Sequence, residues 1–121
     1  MFAFVRASDE PQTVEIDRAK WFSGRKANRA AAAAGVVVEG EAVPNDYFIA
    51  NGQRSYVPLK LPRYVVIAMN DLTSGVLERT CVSRGLLFRS LRSGQVPSAG
   101  SPFWISYRDG EVIELVEQHT P

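Results

Sequence analysis

The pattern of apolar and polar positions opens with two strands. Phe2–Ala7 is mostly apolar, and Ser8-Asp9-Glu10-Pro11-Gln12 supplies turn-forming residues after it. Over Thr13–Asp17 the alternation is strict. Val14 and Ile16 point one way and Thr13, Glu15 and Asp17 the other, which predicts a half-buried antiparallel strand closed by Trp21 and Phe22. The period then changes. Ser23 stands at an N-cap position and Gly35 where a left-handed C-terminal cap would fall. Between them Ala27, Ala30, Ala31 and Ala34 recur at i, i+3, i+4, i+7, so a helix with a face of small residues is expected.

Residues 36–62 are interrupted by Gly40, Pro44, Gly52, Pro58 and Pro62. Asn45-Asp46 reads as a turn into a short strand, Tyr47-Phe48-Ile49, and Asn51-Gly52 predicts a second hairpin. Tyr64–Met69 is a continuous apolar run, the pattern of a central strand covered on both faces. Gly75–Val82 reads as a further strand. Ser83 then caps a short helix through Arg92, with Leu87, Phe88 and Leu91 on one stripe; Gly85 inside it costs about 1 kcal/mol relative to alanine. Phe103–Tyr107 and Val112–Val116 flank Arg108-Asp109-Gly110-Glu111, where Asp-Gly suits a type I′ turn. A regular register opposes Tyr107 to Val112, Ile105 to Glu114 and Trp104 to Leu115. Both faces of this hairpin are then partly apolar, and Trp104, Ile113 and Leu115 become candidates for an interaction surface.

These elements predict an α+β fold dominated by antiparallel sheet. Its form would be a small partly open barrel, like an oligonucleotide/oligosaccharide-binding barrel, or a curved sheet with one alanine-rich helix and a short second helix. At 121 residues, 45% hydrophobic and 22% charged, the chain is expected to fold as a single domain, 1–121, without disulfides or structural metal. A single cysteine excludes an intrachain disulfide and a Cys-rich zinc site, and a single histidine excludes a multi-histidine metal centre. Cys81 reads as a small buried hydrophobe and His119 as a surface residue. No apolar stretch approaches the ~18 residues that span a bilayer. The first residues lack the charged lead and cleavage region of a signal peptide. The chain as written is expected in the cytoplasm or as the mature part of an exported protein.

Catalytic signatures fail in turn. There is no phosphate-binding Gly-rich loop, no dinucleotide fingerprint and no nucleophile elbow, and Asp9-Glu10 sit in a turn where acids serve conformation. No cofactor or metal is implied, and the sequence weighs against an enzyme. Charge is distributed more tellingly than its total of +1. Residues 54–92 carry seven basic side chains against Asp71 and Glu78, whereas residues 93–121 carry Arg108 against four acids. Tyr47, Phe48, Tyr56 and Tyr64 interleave with Arg54, Lys60 and Arg63. Arg54, Tyr56, Lys60, Arg63 and Arg79 are therefore candidates for binding single-stranded nucleic acid, with bases stacked on rings and cations along phosphates. The competing reading puts Phe48 and Tyr64 in the core with the arginines facing outward.

Trp21-Phe22-Ser23-Gly24, Ala27-Asn28-Arg29-Ala30-Ala31 and Val43-Pro44-Asn45-Asp46-Tyr47-Phe48-Ile49-Ala50-Asn51 together form an extended motif. With Pro102-Phe103-Trp104-Ile105, Arg108-Asp109-Gly110, Glu117-Gln118 and Pro121, it resembles a group of uncharacterised bacterial domains, from about Phe4 to Pro121. Members often look secreted or lipid-anchored, and the group carries no activity that could be transferred. This chain departs from its pattern at Ala50, where an arginine is usual, and at His119, where a tyrosine is usual. The expectation from sequence is a non-enzymatic binding or interaction module, self-associating or with a protein partner; the alternative is a single-stranded nucleic-acid binder working through residues 54–92.

Overall fold

The computed structural model describes residues 1–52, 54–94 and 96–120. In chain order the elements are β1 (Phe2–Ala7), β2 (Thr13–Ser23), α1 (Gly24–Ala33), β3 (Tyr47–Ala50), β4 (Tyr56–Lys60), β5 (Val66–Asp71), β6 (Glu78–Val82), α2 (Arg84–Leu91), β7 (Ser101–Arg108) and β8 (Glu111–Glu117), with a 3-10 turn at Pro44–Asp46. The class is α+β, the sheet is mostly antiparallel, and it is not closed into a barrel. The chain divides into two compact units, Met1–Arg18 with Ser55–Thr120, and Ala19–Arg54.

In the first unit the strands run in the order β4-β2-β1-β7-β8-β5-β6. Ser8–Gln12 is too short to return the chain for a parallel crossover, so β1 and β2 neighbour each other as a hairpin. β5 and β8 form the parallel pair. Ala3 and Val5 of β1 and Val14 and Ile16 of β2 alternate into a core shared with Leu61, Ile67, Phe103, Ile105, Val112 and Leu115. α2 closes this core with Leu87 and Leu91, and the Ser83 hydroxyl caps it by accepting from the Leu86 N–H at 3.1 Å. Gly100 enters β7 with φ +100°, where a Cβ would stand 2.5 Å from the Val5 carbonyl oxygen, so only glycine fits.

The C-terminal hairpin keeps its turn and changes its register. Asp109 (φ 51°) and Gly110 (φ 80°) both take positive φ, as a type I′ turn requires, and Arg108 opposes Glu111 and Tyr107 opposes Val112. The register then shifts: Ser106 opposes Glu114, Ile105 opposes Leu115 and Trp104 opposes Val116, leaving Ile113 as the extra residue of a bulge. Val112 and Leu115, three apart, thereby share the core face with Ile105 and Phe103. This corrects the register and the place of Leu115, while the outer face still carries Trp104 opposite Val116. Leu115 is fully buried and belongs to no surface.

Three further expectations are overturned. β3 and β4 do not form a hairpin across Asn51-Gly52; each pairs antiparallel with β2, β4 along residues 13–17 and β3 along residues 20–23. The apolar run at Tyr64 joins a turn to a strand. Val65 N–H donates to Pro62, β5 begins at Val66, and Tyr64 and Val66 are exposed rather than covered. Cys81 lies exposed on β6, the last strand in the order, rather than buried. The segment before β6 is a turn that leaves Leu72, Val76 and Leu77 in solvent.

The second unit is built on α1. Ala27 and Ala31 are buried with Val43, and Phe22, Val37 and Phe48 pack around them; Phe22 and Phe48 are cross-strand partners on β2 and β3. Gly35 ends the helix as expected. Its N–H donates to Ala32 and that of Val36 to Ala31, the paired bonds of a Schellman cap. At the other end Ser23 occupies the N-cap position, but its hydroxyl makes no capping bond. Ala34 is exposed, so the packing face is shorter than its spacing implied.

A basic cleft in the first unit

Leu61 organises this cleft. Its side chain is buried, its N–H donates to the Gln12 carbonyl at 2.8 Å, and its carbonyl accepts from Arg84 Nη1 at 2.9 Å. These bonds bring the β1–β2 turn, the segment after β4 and the first residue of α2 to one place. The resulting cleft, about 610 Å³, is lined by Lys60, Arg63 and Arg84, with Gln12, Pro62 and the turn residues Gly110 and Glu111 among its other walls. The Lys60 and Arg63 side chains make no hydrogen bond or ion pair among the described residues. Unpaired cations at a concave surface focus a positive field, which suits an anion.

Glu111 is the one carboxylate of the lining, and Tyr64 holds it through a hydrogen bond from the phenol to Oε2. That bond and the adjacent charge push the Tyr64 hydroxyl above the ordinary tyrosine range, burial adding least, so it remains a donor at neutral pH. Tyr64 is 65% exposed next to Arg63 in the chain, and its ring is anchored at the hydroxyl end.

The sequence candidates divide. Lys60 and Arg63 meet in the cleft. Arg79 is exposed on β6 opposite Asn70, outside the cleft lining, and Arg54 belongs to the other unit. Tyr56 takes a structural place. The Arg6 guanidinium lies 3.4 Å from its ring centroid while also bonding Glu15 at 3.2 Å, and its hydroxyl donates to the Ala99 carbonyl at 2.8 Å. A base therefore has little of that ring to stack on. Sequence reasoning missed Arg84 and Glu111, and it noted Tyr64 among the interleaved aromatics but chose Tyr56 as the site residue. Arg84 directly follows the Ser83 cap and Tyr64 directly follows Arg63, which were the available signals. Of the interaction candidates, Trp104 is partly exposed and fixed by tilted contact with Phe2 (5.1 Å) and an Nε1–H bond to Gln118 (2.7 Å); Ile113 is half-buried at the bulge.

The motif residues have structural work in both units. Trp21 stacks on Tyr47 with ring planes 5° apart at 4.6 Å, and Asn45 and Asp46 adopt the left-handed region in the turn before β3. Asn28 of α1 accepts from the Val43 N–H at 2.9 Å. Gln118 ties back to β7 twice, accepting from Trp104 and donating from its backbone to the Pro102 carbonyl at 2.9 Å. Pro121 lies outside the described residues. Among the described residues, no group of three or more His, Cys, Asp or Glu could hold a metal, and no helix is long and apolar enough to cross a membrane. Comparisons with protein-family models, curated proteins and solved structures return no match to this chain.

Proposed function

We propose that this chain is a non-enzymatic binding module whose working surface is the basic cleft, and that its ligand is single-stranded nucleic acid. The observation that carries the reading is the pair of uncommitted cations, Lys60 and Arg63, in one cleft, with an exposed aromatic ring, Tyr64, next to Arg63 in the chain and hydrogen-bonded to the cleft's Glu111. Cations track the phosphates while a base stacks on the ring, a mode that tolerates sequence because every base offers a π-face. Arg84 adds charge from a fixed position, its guanidinium held by Leu61. Tyr64 replaces Tyr56 as the stacking residue, because the Tyr56 ring already carries Arg6.

Fluorescence anisotropy of a labelled single-stranded oligonucleotide tests this reading. Binding should saturate and weaken steeply between about 50 and 200 mM salt. Lys60→Ala and Arg63→Ala should each weaken it and reduce the salt slope by roughly one phosphate contact. Tyr64→Ala should cost about 1–3 kcal/mol of affinity, with Tyr56→Ala leaving the salt slope unchanged. Absence of binding at the lower salt, or titrations indifferent to both cation substitutions, overturns the proposal.

A further inference from the structure

The second unit carries its own cleft, about 660 Å³, and its walls differ from the first in charge pattern. One wall is the outer stripe of α1: Arg25, Asn28 and Arg29, with Ala32 and Ala33 continuing the same face at i+7 and i+8. The other is the segment Glu39-Gly40-Glu41. Two arginines and two glutamates thus line one cleft, and none of the four makes an ion pair among the described residues. Asn28 gives the cationic wall a fixed point. Because the Val43 N–H donates to its Oδ1, the other amide atom must be the NH2, and that group has no protein partner among the described residues. A half-buried carboxamide pinned by its oxygen therefore offers an oriented donor between two arginines.

We propose that this cleft binds a compact zwitterion, its carboxylate on Arg25, Asn28 and Arg29 and its ammonium toward Glu39 and Glu41. Guanidinium and amide N–H groups suit a carboxylate, whose two oxygens accept several bonds at once, and an ammonium offers three donors to the carboxylates. A singly charged molecule would satisfy one wall and leave the other unpaired. The site requires both charges on one ligand, held apart by a short chain.

The probes are β-alanine, γ-aminobutyrate and ε-aminocaproate, whose charges are separated by increasing lengths, with butyrate and butylamine as singly charged controls. Each is titrated into the full chain and followed by amide NMR shifts. At least one amino acid of the series should bind saturably, shifting residues of α1 and 39–41 together with the Asn28 side-chain NH2. Butyrate and butylamine should bind at least about tenfold more weakly. Arg29→Gln and Glu41→Gln should each remove most of the binding, and all of these side chains except that of Asn28 are exposed, so the fold should survive the changes. Equal binding of butyrate would reduce the site to an anion patch and overturn the proposal. So would the absence of saturable shifts with every probe, or shifts that leave the Asn28 side chain unmoved.

Discussion

The two units are held together by opposite means. The first buries large branched and aromatic side chains, Phe103, Ile16, Ile67, Ile105, Leu87 and Leu115 among them, between a sheet and one short helix. The second buries Ala27, Ala31 and Val43, with Phe22, Val37 and Phe48 only partly covered. Burial contributes about 25 cal/mol per Å² of apolar surface, so the first gains its stability from area. The second gains from close approach, since alanine lets a helix lie near its neighbours and costs least to hold helical. The lesson is that the two should fail in opposite directions: the first when volume is removed, the second when volume is added.

The largest effect should come from Phe103→Ala. The ring is fully buried in β7, and removing it leaves a cavity among residues from several strands, an expected loss of about 3–5 kcal/mol by urea denaturation. A loss below about 1 kcal/mol would mean that the core collapses into the space and is less rigid than its burial implies. Ala31→Leu tests the other half of the comparison and should be milder. Three extra carbons where α1 is fully buried force its neighbours aside, at about 1–3 kcal/mol. Hydrogen exchange should quicken in α1 and β3. A stabilising Ala31→Leu would show that the alanine face leaves room, and the contrast between the units would be lost.

The two clefts sharpen the same contrast. They are similar in size, yet one presents three cations against a single carboxylate held by tyrosine, and the other sets two arginines against two glutamates. Charge arrangement, rather than volume, separates a polyanion from a zwitterion as the expected occupant.

Local signals were legible where one segment sufficed. Gly35 and Ser83 marked helix ends, and Asp109-Gly110 marked a turn, because each position demands a particular backbone or side-chain bond regardless of what packs on it. What escaped depended on distant partners. The bulge at Ile113 follows from the need to put Val112 and Leu115 on one face, and nothing near Ile113 announces it. β3 and β4 share β2 rather than each other, so Asn51-Gly52 carried a hairpin signal that the pairing did not use. At the cleft, Lys60 and Arg63 were visible as charge. Tyr56 and Tyr64 looked alike until Arg6 was found on one ring and Glu111 at the hydroxyl of the other, contacts that span many residues of sequence.

The smallest expected effect concerns charge within the first unit. Glu117 lies at the end of β8 opposite Phe103, half-buried, and its Oε1 accepts from the Asn70 N–H at 2.7 Å. Burial pushes its carboxyl above the ordinary glutamate range, against the smaller lowering influences of the Asn70 N–H and His119. A carboxyl whose pKa is higher folded than unfolded favours the fold when protonated. That contribution is complete below the ordinary glutamate range and is lost as pH rises through the raised value. Glu117→Gln should therefore raise stability modestly at neutral pH, because the amide oxygen can still accept from Asn70 while the buried charge is gone. Below the ordinary carboxylate range the two proteins should denature alike. Glu117→Ala should lower stability at both pH values, since Asn70 then loses its acceptor. If Glu117→Gln instead destabilises at neutral pH, the ionised carboxylate is worth more to the Asn70 bond than its burial costs, and Glu117 supports the first unit as a charge rather than merely as an acceptor.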